Sequence, residues 1–181
     1  MKYFTPDLWL GWHDEDNSAR RQATEQFHRN GDEYLLQLRD VLPRLDKADQ
    51  DFFENTNLHD GRLVAFIAGD EIDFNIAEAE AFDINSHKTS VRLTVLGPWI
   101  DELFTLEYSG VRRAVFDYPT DDPLFHAEGC HLGDWGYDEL TAVDDTYLRH
   151  EILFASGSSI LIEFKKFSHS RQEVNGSRYK H

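Results

Sequence analysis

Two groups of side chains in this chain are of a type that does chemistry. The adjacent His59 and Asp60, inside Asn57-Leu58-His59-Asp60-Gly61, offer an imidazole and a carboxylate that can share a divalent ion once other segments add ligands. The run His126-Ala127-Glu128-Gly129-Cys130-His131 holds further potential ligands. Joined in one cleft, His59, Asp60, His126 and His131 would support a metal-assisted hydrolase. The second run, however, lacks the Cys-x-x-Cys or His-x-x-x-His spacing that aims two side chains at one ion, and a lone Cys130 does not make a closed zinc site. The expectation for the first group is therefore structural: Asp60-Gly61 turns the chain, and His59 donates to a backbone carbonyl. The expected metal, cofactor and catalytic residues are none.

Other chemistries find less support. Ser156-Gly157-Ser158-Ser159 reads as a hairpin turn, and Gly-x-Ser-x-Gly, Walker and Rossmann glycine patterns are absent. The carboxylate runs Asp14-Glu15-Asp16, Glu78 to Asp83, Asp121-Asp122 and Asp144-Asp145 do not follow the calcium-loop order and read as solvated surface. Trp135 and Tyr137, beside Asp138 and Glu139, are interface candidates, because aromatics anchor protein contacts. Core packing is the commoner fate of such residues.

The elements that must position these groups change character near residue 58. Before it the pattern is helical: an aromatic arm with a helix start at Pro6-Asp7, then apolar residues from Ala23 to Leu42 at helical spacing after a cap at Asn17 or Ser18, ended by Pro43. Asn30-Gly31 leaves a kink or two helices open, with one long helix expected. Asp46 to Glu54 is a second helix presenting Phe52 and Phe53. After residue 58 the period is two. Leu63 to Ile67 and Ile72 to Ile76 read as a hairpin turning at Gly69-Asp70, and Lys88 to Leu96 and Val111 to Phe116 read as strands. Trp99 to Tyr108 fits a helical turn plus strand as well as one strand. Tyr118 to Gly133 is the longest irregular stretch, and Asp134–Val143, Thr146–Phe154 and Ser159–His169 complete a meander.

Helices first and strands afterwards imply an α+β fold, N-terminal helices packed on a mainly antiparallel, meander-type sheet. One domain is expected over residues 1–170, with a helical part (1–57), a strand-rich part (58–170) and a polar tail at 171–181.

Composition sets the outer limits. The chain has 181 residues, 40% of them hydrophobic, enough for one core, and its single cysteine fits a reducing compartment. No signal peptide is visible and no apolar run approaches the roughly 18 residues of a membrane span, so the cytoplasm is the expected location. The net charge of −16 repels phosphate backbones and anionic lipids. Nucleic acid and membranes are thus disfavoured as partners, and a basic protein is favoured. Residues 58–145 carry 5 basic and 19 acidic side chains, whereas residues 146–181 carry 6 and 3. The basic end either lies across the acidic middle or leaves an acidic face for a partner.

The opening Met1-Lys2-Tyr3-Phe4-Thr5, the Leu58-His59-Asp60 block, the Asp134 to Leu140 stretch and Arg149-His150-Glu151-Ile152-Leu153-Phe154 followed by Ile160 to Phe164 resemble a group of uncharacterised bacterial proteins of the DUF4085 kind. The strand-rich part is similar in layout to immunity-like domains of bacterial toxin systems. The resemblance implies a bacterial source and an α+β fold, and carries over no catalytic residue. The expected function is a protein-binding or inhibitory, immunity-like module of unknown oligomeric state. A metal-assisted hydrolase centred on His59 and Asp60, or a structural oligomeric module, are the alternatives.

Overall fold

The computed structural model describes residues 1–12, 15–70, 88–118 and 132–174. Among them are three α-helices, all before residue 58, and eight strands, all antiparallel, which makes an α+β fold.

The helix α1 (Pro6–Trp12) starts on Pro6, whose missing N–H is not needed in a first helical turn. The helix α2 (Asn17–Val41) is capped by Asp16, whose carboxylate accepts from Ser18 N at 2.7 Å. It runs unbroken through Asn30-Gly31, as expected. Asn30 has its own task there: its Nδ2 donates to Tyr3 O at 2.7 Å and holds the N-terminal arm on the helix. Pro43 ends α2 in a single 3-10 turn, Leu42–Arg44, and α3 (Lys47–Asn55) follows.

One meandering sheet was the expectation, and the strands form two. The first sheet has the order β1 (Arg62–Asp70), β2 (Thr89–Leu96), β3 (Glu102–Ser109), β8 (Lys166–Glu173); the second has the order β4 (Arg113–Asp117), β7 (Ser159–Phe164), β6 (Leu148–Phe154), β5 (Trp135–Ala142). Each sheet is thus a three-stranded meander with a strand from the other half of the chain added beside it. Among the described residues the chain passes from one sheet to the other after β3 and after β7, and these crossings are tied together: Arg112 N donates to Glu163 O at 3.0 Å and Lys165 N to Ser109 O at 3.1 Å. Gly110, with φ of 62°, lets the first crossing turn against Lys165.

The inner faces share one core. Leu93, Leu106 and Tyr108 of the first sheet and Ile152, Ile162 and Phe164 of the second are fully buried, and the rings of Tyr108 and Phe164 meet edge to face at 5.1 Å. Helix α3 covers an end of this core. Phe53 packs on Phe167 of the first sheet and His150 of the second, and Phe52 on Phe104 and Phe167.

Several boundaries differ from the sequence reading. Gly69 and Asp70 do not turn; they close β1 opposite Ser90 and Thr89, where the Asp70 carboxylate accepts from the Thr89 hydroxyl at 2.8 Å. The second limb expected there, Ile72 to Ile76, lies outside the described residues. The stretch 99–108 resolves into a turn followed by β3. Ser159–His169 is two strands in different sheets, and Arg171–Glu173 belongs to β8 instead of a polar tail.

Candidate functional site

The His59-Asp60 corner is built from backbone outward. Asn57 Oδ1 accepts from His59 N at 2.9 Å, Gly61 N donates to Leu58 O at 2.8 Å, and Asp60 takes a φ of 66°, a left-handed conformation that Asp tolerates. A Cβ on Gly61 would lie 2.8 Å from Leu58 O and 2.9 Å from Leu96 O, so only glycine fits. The turn then docks on β5. Asp60 N donates to Trp135 O at 2.9 Å and Trp135 N to Gly61 O at 2.7 Å. An edge strand of the second sheet is covered in this way.

His59 reaches the backbone carbonyl its sequence position suggested: Nδ1 lies 2.7 Å from Gly136 O. A carbonyl only accepts, so Nδ1 carries the proton and donates. The other ring nitrogen, Nε2, stands 3.6 Å from Asp60 Oδ1 at a partly exposed position, and the ring stacks on Tyr137 at 5.3 Å. Tyr137 also stacks on Phe4 and touches Trp9 and Phe27, which fastens the N-terminal arm and α2 to β5. Burial, followed by the nearby Asp60 charge, pushes the Tyr137 hydroxyl up to about 12.

The four interface candidates do not make an exposed patch. Trp135 is buried in the core, with its Nε1 donating to Asp138 Oδ1 at 3.0 Å. Tyr137 and Asp138 are half-buried. Glu139 is wholly buried, and its carboxylate accepts the backbone N–H groups of Lys2, Tyr3 and Phe4 at 2.8, 2.7 and 2.6 Å. Beside it the Met1 ammonium pairs with Glu151 at 2.7 Å. Aromatic and acidic neighbours in sequence suggested a surface; the register shift between Trp135 and Tyr137 in β5 instead puts Trp135 in the core and Glu139, four residues on, against the N-terminal arm.

A polar chain missed by the sequence reading crosses the core. Asp138 Oδ2 lies 3.1 Å from His150 Nε2, and His150 Nδ1 lies 2.6 Å from the Tyr108 hydroxyl. Burial, with Asp138 adding to it, raises the Tyr108 hydroxyl well above its ordinary value, so it stays protonated and donates to Nδ1. His150 then donates from Nε2 to Asp138. The order of groups matches an acid-base relay, but Tyr108 has no exposed surface and is packed against Phe164 and Phe167. It ties β3, β6 and β5 together. His150 in an otherwise apolar face was the available signal.

On the outer face of the second sheet, Glu163 is held by Arg112 Nε at 2.8 Å and Arg149 Nη2 at 2.7 Å, and Arg112 also reaches Asp144 at 2.8 Å. Burial alone would raise the Glu163 carboxyl, but the hydrogen bonds and charges of the two arginines outweigh it and hold it below its ordinary value. Asp144 is lowered too, first by the Thr146 and Tyr147 N–H groups and then by Arg112.

Of the four metal candidates, His59 and Asp60 adjoin, while His126 and His131 lie outside the described residues. Among the described residues no three His, Cys, Asp or Glu side chains converge as ligands of one ion would. None of the described helices is long and apolar enough to cross a membrane. No protein-family model, no curated protein and no solved structure matches this chain.

Proposed function

We propose that the protein acts by binding, as a cytoplasmic acidic module of the protein-binding or inhibitory, immunity-like kind whose partner is a basic protein. The observation that carries this reading is the charge map: a net of −16, concentrated in residues 58–145, steers cationic surfaces toward the strand-rich part and repels nucleic acid. Support also comes from where the polar side chains are spent. Asp138, Glu139 and His150 serve the fold's own contacts, as does the proton-bearing nitrogen of His59. The likeness to uncharacterised DUF4085-type bacterial proteins belongs to the same proposal.

The test is affinity capture on immobilised protein at about 50 mM salt, followed by titration of each purified captured protein with rising salt. The expected result is a basic protein whose affinity falls steeply with ionic strength. If no captured protein binds in purified form, the reading is wrong.

One observation favours a second reading. A histidine that donates from Nδ1 to a carbonyl has its other nitrogen aimed outward as in many metal sites, and here that nitrogen stands beside Asp60. Calorimetric zinc titration of the unaltered protein against the variant His59→Ala decides it. Stoichiometric binding lost in the variant favours the metal-assisted reading.

A further inference from the structure

The turn that joins β2 to β3, Gly97-Pro98-Trp99-Ile100-Asp101, presents its apolar side chains to water. Trp99 is 84% exposed and Ile100 58% exposed, while Trp135 lies in the core. The turn is held firmly. Gly97 N donates to Glu102 O at 2.8 Å, Ile100 N donates to Gly97 O at 3.0 Å, and Gly97 sits on the ring of the buried Phe104.

The backbone adds a second, independent observation. Ile100 has a φ of 61°, the left-handed region that disfavours a β-branched side chain and suits glycine or asparagine. Stability would select a small residue at this position. An isoleucine there, beside an unburied tryptophan, serves something other than the fold.

We propose that this tip is the recognition element of the molecule, inserting Trp99 and Ile100 into an apolar pocket of a protein partner whose rim is basic; the proposal rests on the binding reading above. Trp99 and Ile100 stand exposed side by side on a turn, a pair of anchors suited to a pocket. Asp101, Glu102 and Glu173 stand at its base, and Arg171 pairs with Glu102 at 3.3 Å, which leaves the surround acidic and complementary to lysine and arginine. The same carboxylates repel an anionic bilayer, and a single Trp and Ile bury too little area to hold the chain on a neutral one. Two copies, each at −16, repel one another. A rigid aromatic anchor ringed by charge has the anatomy of an interface hot spot.

The experiment places a benzophenone amino acid at position 99 in the full chain, with position 36 on the exposed face of α2 as control, in cells of the source organism. The crosslinked protein is then identified, purified and used as the probe in calorimetry, alongside neutral phosphatidylcholine vesicles. The proposal expects one protein crosslinked at position 99 and not at 36, and its affinity to fall roughly 30-fold in Trp99→Ser and to be partly kept in Trp99→Phe. Ile100→Gly relieves the backbone, so it should raise the melting temperature while weakening the same binding; a residue serving only the fold would not separate these two readouts. A purified partner that binds Trp99→Ser as tightly as the unaltered chain overturns the tip proposal and leaves the binding reading standing. Equal crosslinking at both positions, or binding to the vesicles instead of a protein, also overturns it. Absence of any crosslinked or salt-sensitive captured protein overturns both.

Discussion

At the scale of the residue, Gly61 and Glu139 both leave little room for change. Gly61 has backbone carbonyls of Leu58 and Leu96 within 2.9 Å of where a Cβ would stand, and carbonyls cannot rotate away as side chains do. Gly61→Ala must therefore open the turn that covers β5. The expected loss is about 2 kcal/mol, read from urea unfolding monitored by tryptophan fluorescence. Glu139 poses the opposite problem, a buried charge satisfied by three N–H donors. Glu139→Gln keeps the shape but replaces one accepting oxygen with an NH2 group that faces an N–H donor. It should cost about 2 kcal/mol and expose the first residues to proteolysis before the rest of the chain unfolds. If the variant is as stable as the parent and equally resistant, the arm is not held by this carboxylate.

At the scale of the element, α2 carries a correctable weakness. Gly31 sits inside the helix, where glycine costs about 1 kcal/mol relative to alanine, and a Cβ there meets nothing within 4 Å. Gly31→Ala should stabilise the protein by about that amount in the same unfolding measurement, without changing binding. This helix was legible from sequence because its period repeats over many residues, and the strand pattern of β6 and β7 was legible for the same reason. Which strands share a sheet was not, since alternation tells which face a side chain takes and not which strand lies beside it. The one local trace was a change of phase: inward positions are Ile160, Ile162 and Phe164 before Lys165, then Phe167 and His169 after it. Gly69-Asp70 misled because its turn-forming composition is outweighed by pairing with β2. At the corner, the sequence indicated a carbonyl partner for His59, but Gly136 lies 77 positions away and only the docking of β5 supplies it.

At the scale of the whole molecule, opposed electrostatic effects set stability. Glu163 and Asp144 have folded pKa values below their ordinary ones, so their contribution is fully present above the ordinary carboxylate range and is lost as pH falls through the lowered values. Glu163→Gln should therefore be less stable than the parent at neutral pH, and the two stability curves should converge in acid, in a pH series of urea unfolding. Against these local attractions stands the general repulsion of a chain at −16. Exposed ion pairs such as Arg21–Glu25 contribute about 0–1 kcal/mol each, whereas the excess of carboxylates repels over many distances at once. Raising NaCl from about 10 to about 150 mM shortens the screening length from roughly 30 to 8 Å and weakens both, but the repulsion acts over the longer range and loses more. The melting temperature should rise by about 2–4 °C, as a gain of about 1 kcal/mol would give in a chain of this size. A fall in melting temperature with salt would mean that the arginine-held carboxylates of the second sheet outweigh the self-repulsion, and that the acidic surface is less strained by its own charge than its composition implies.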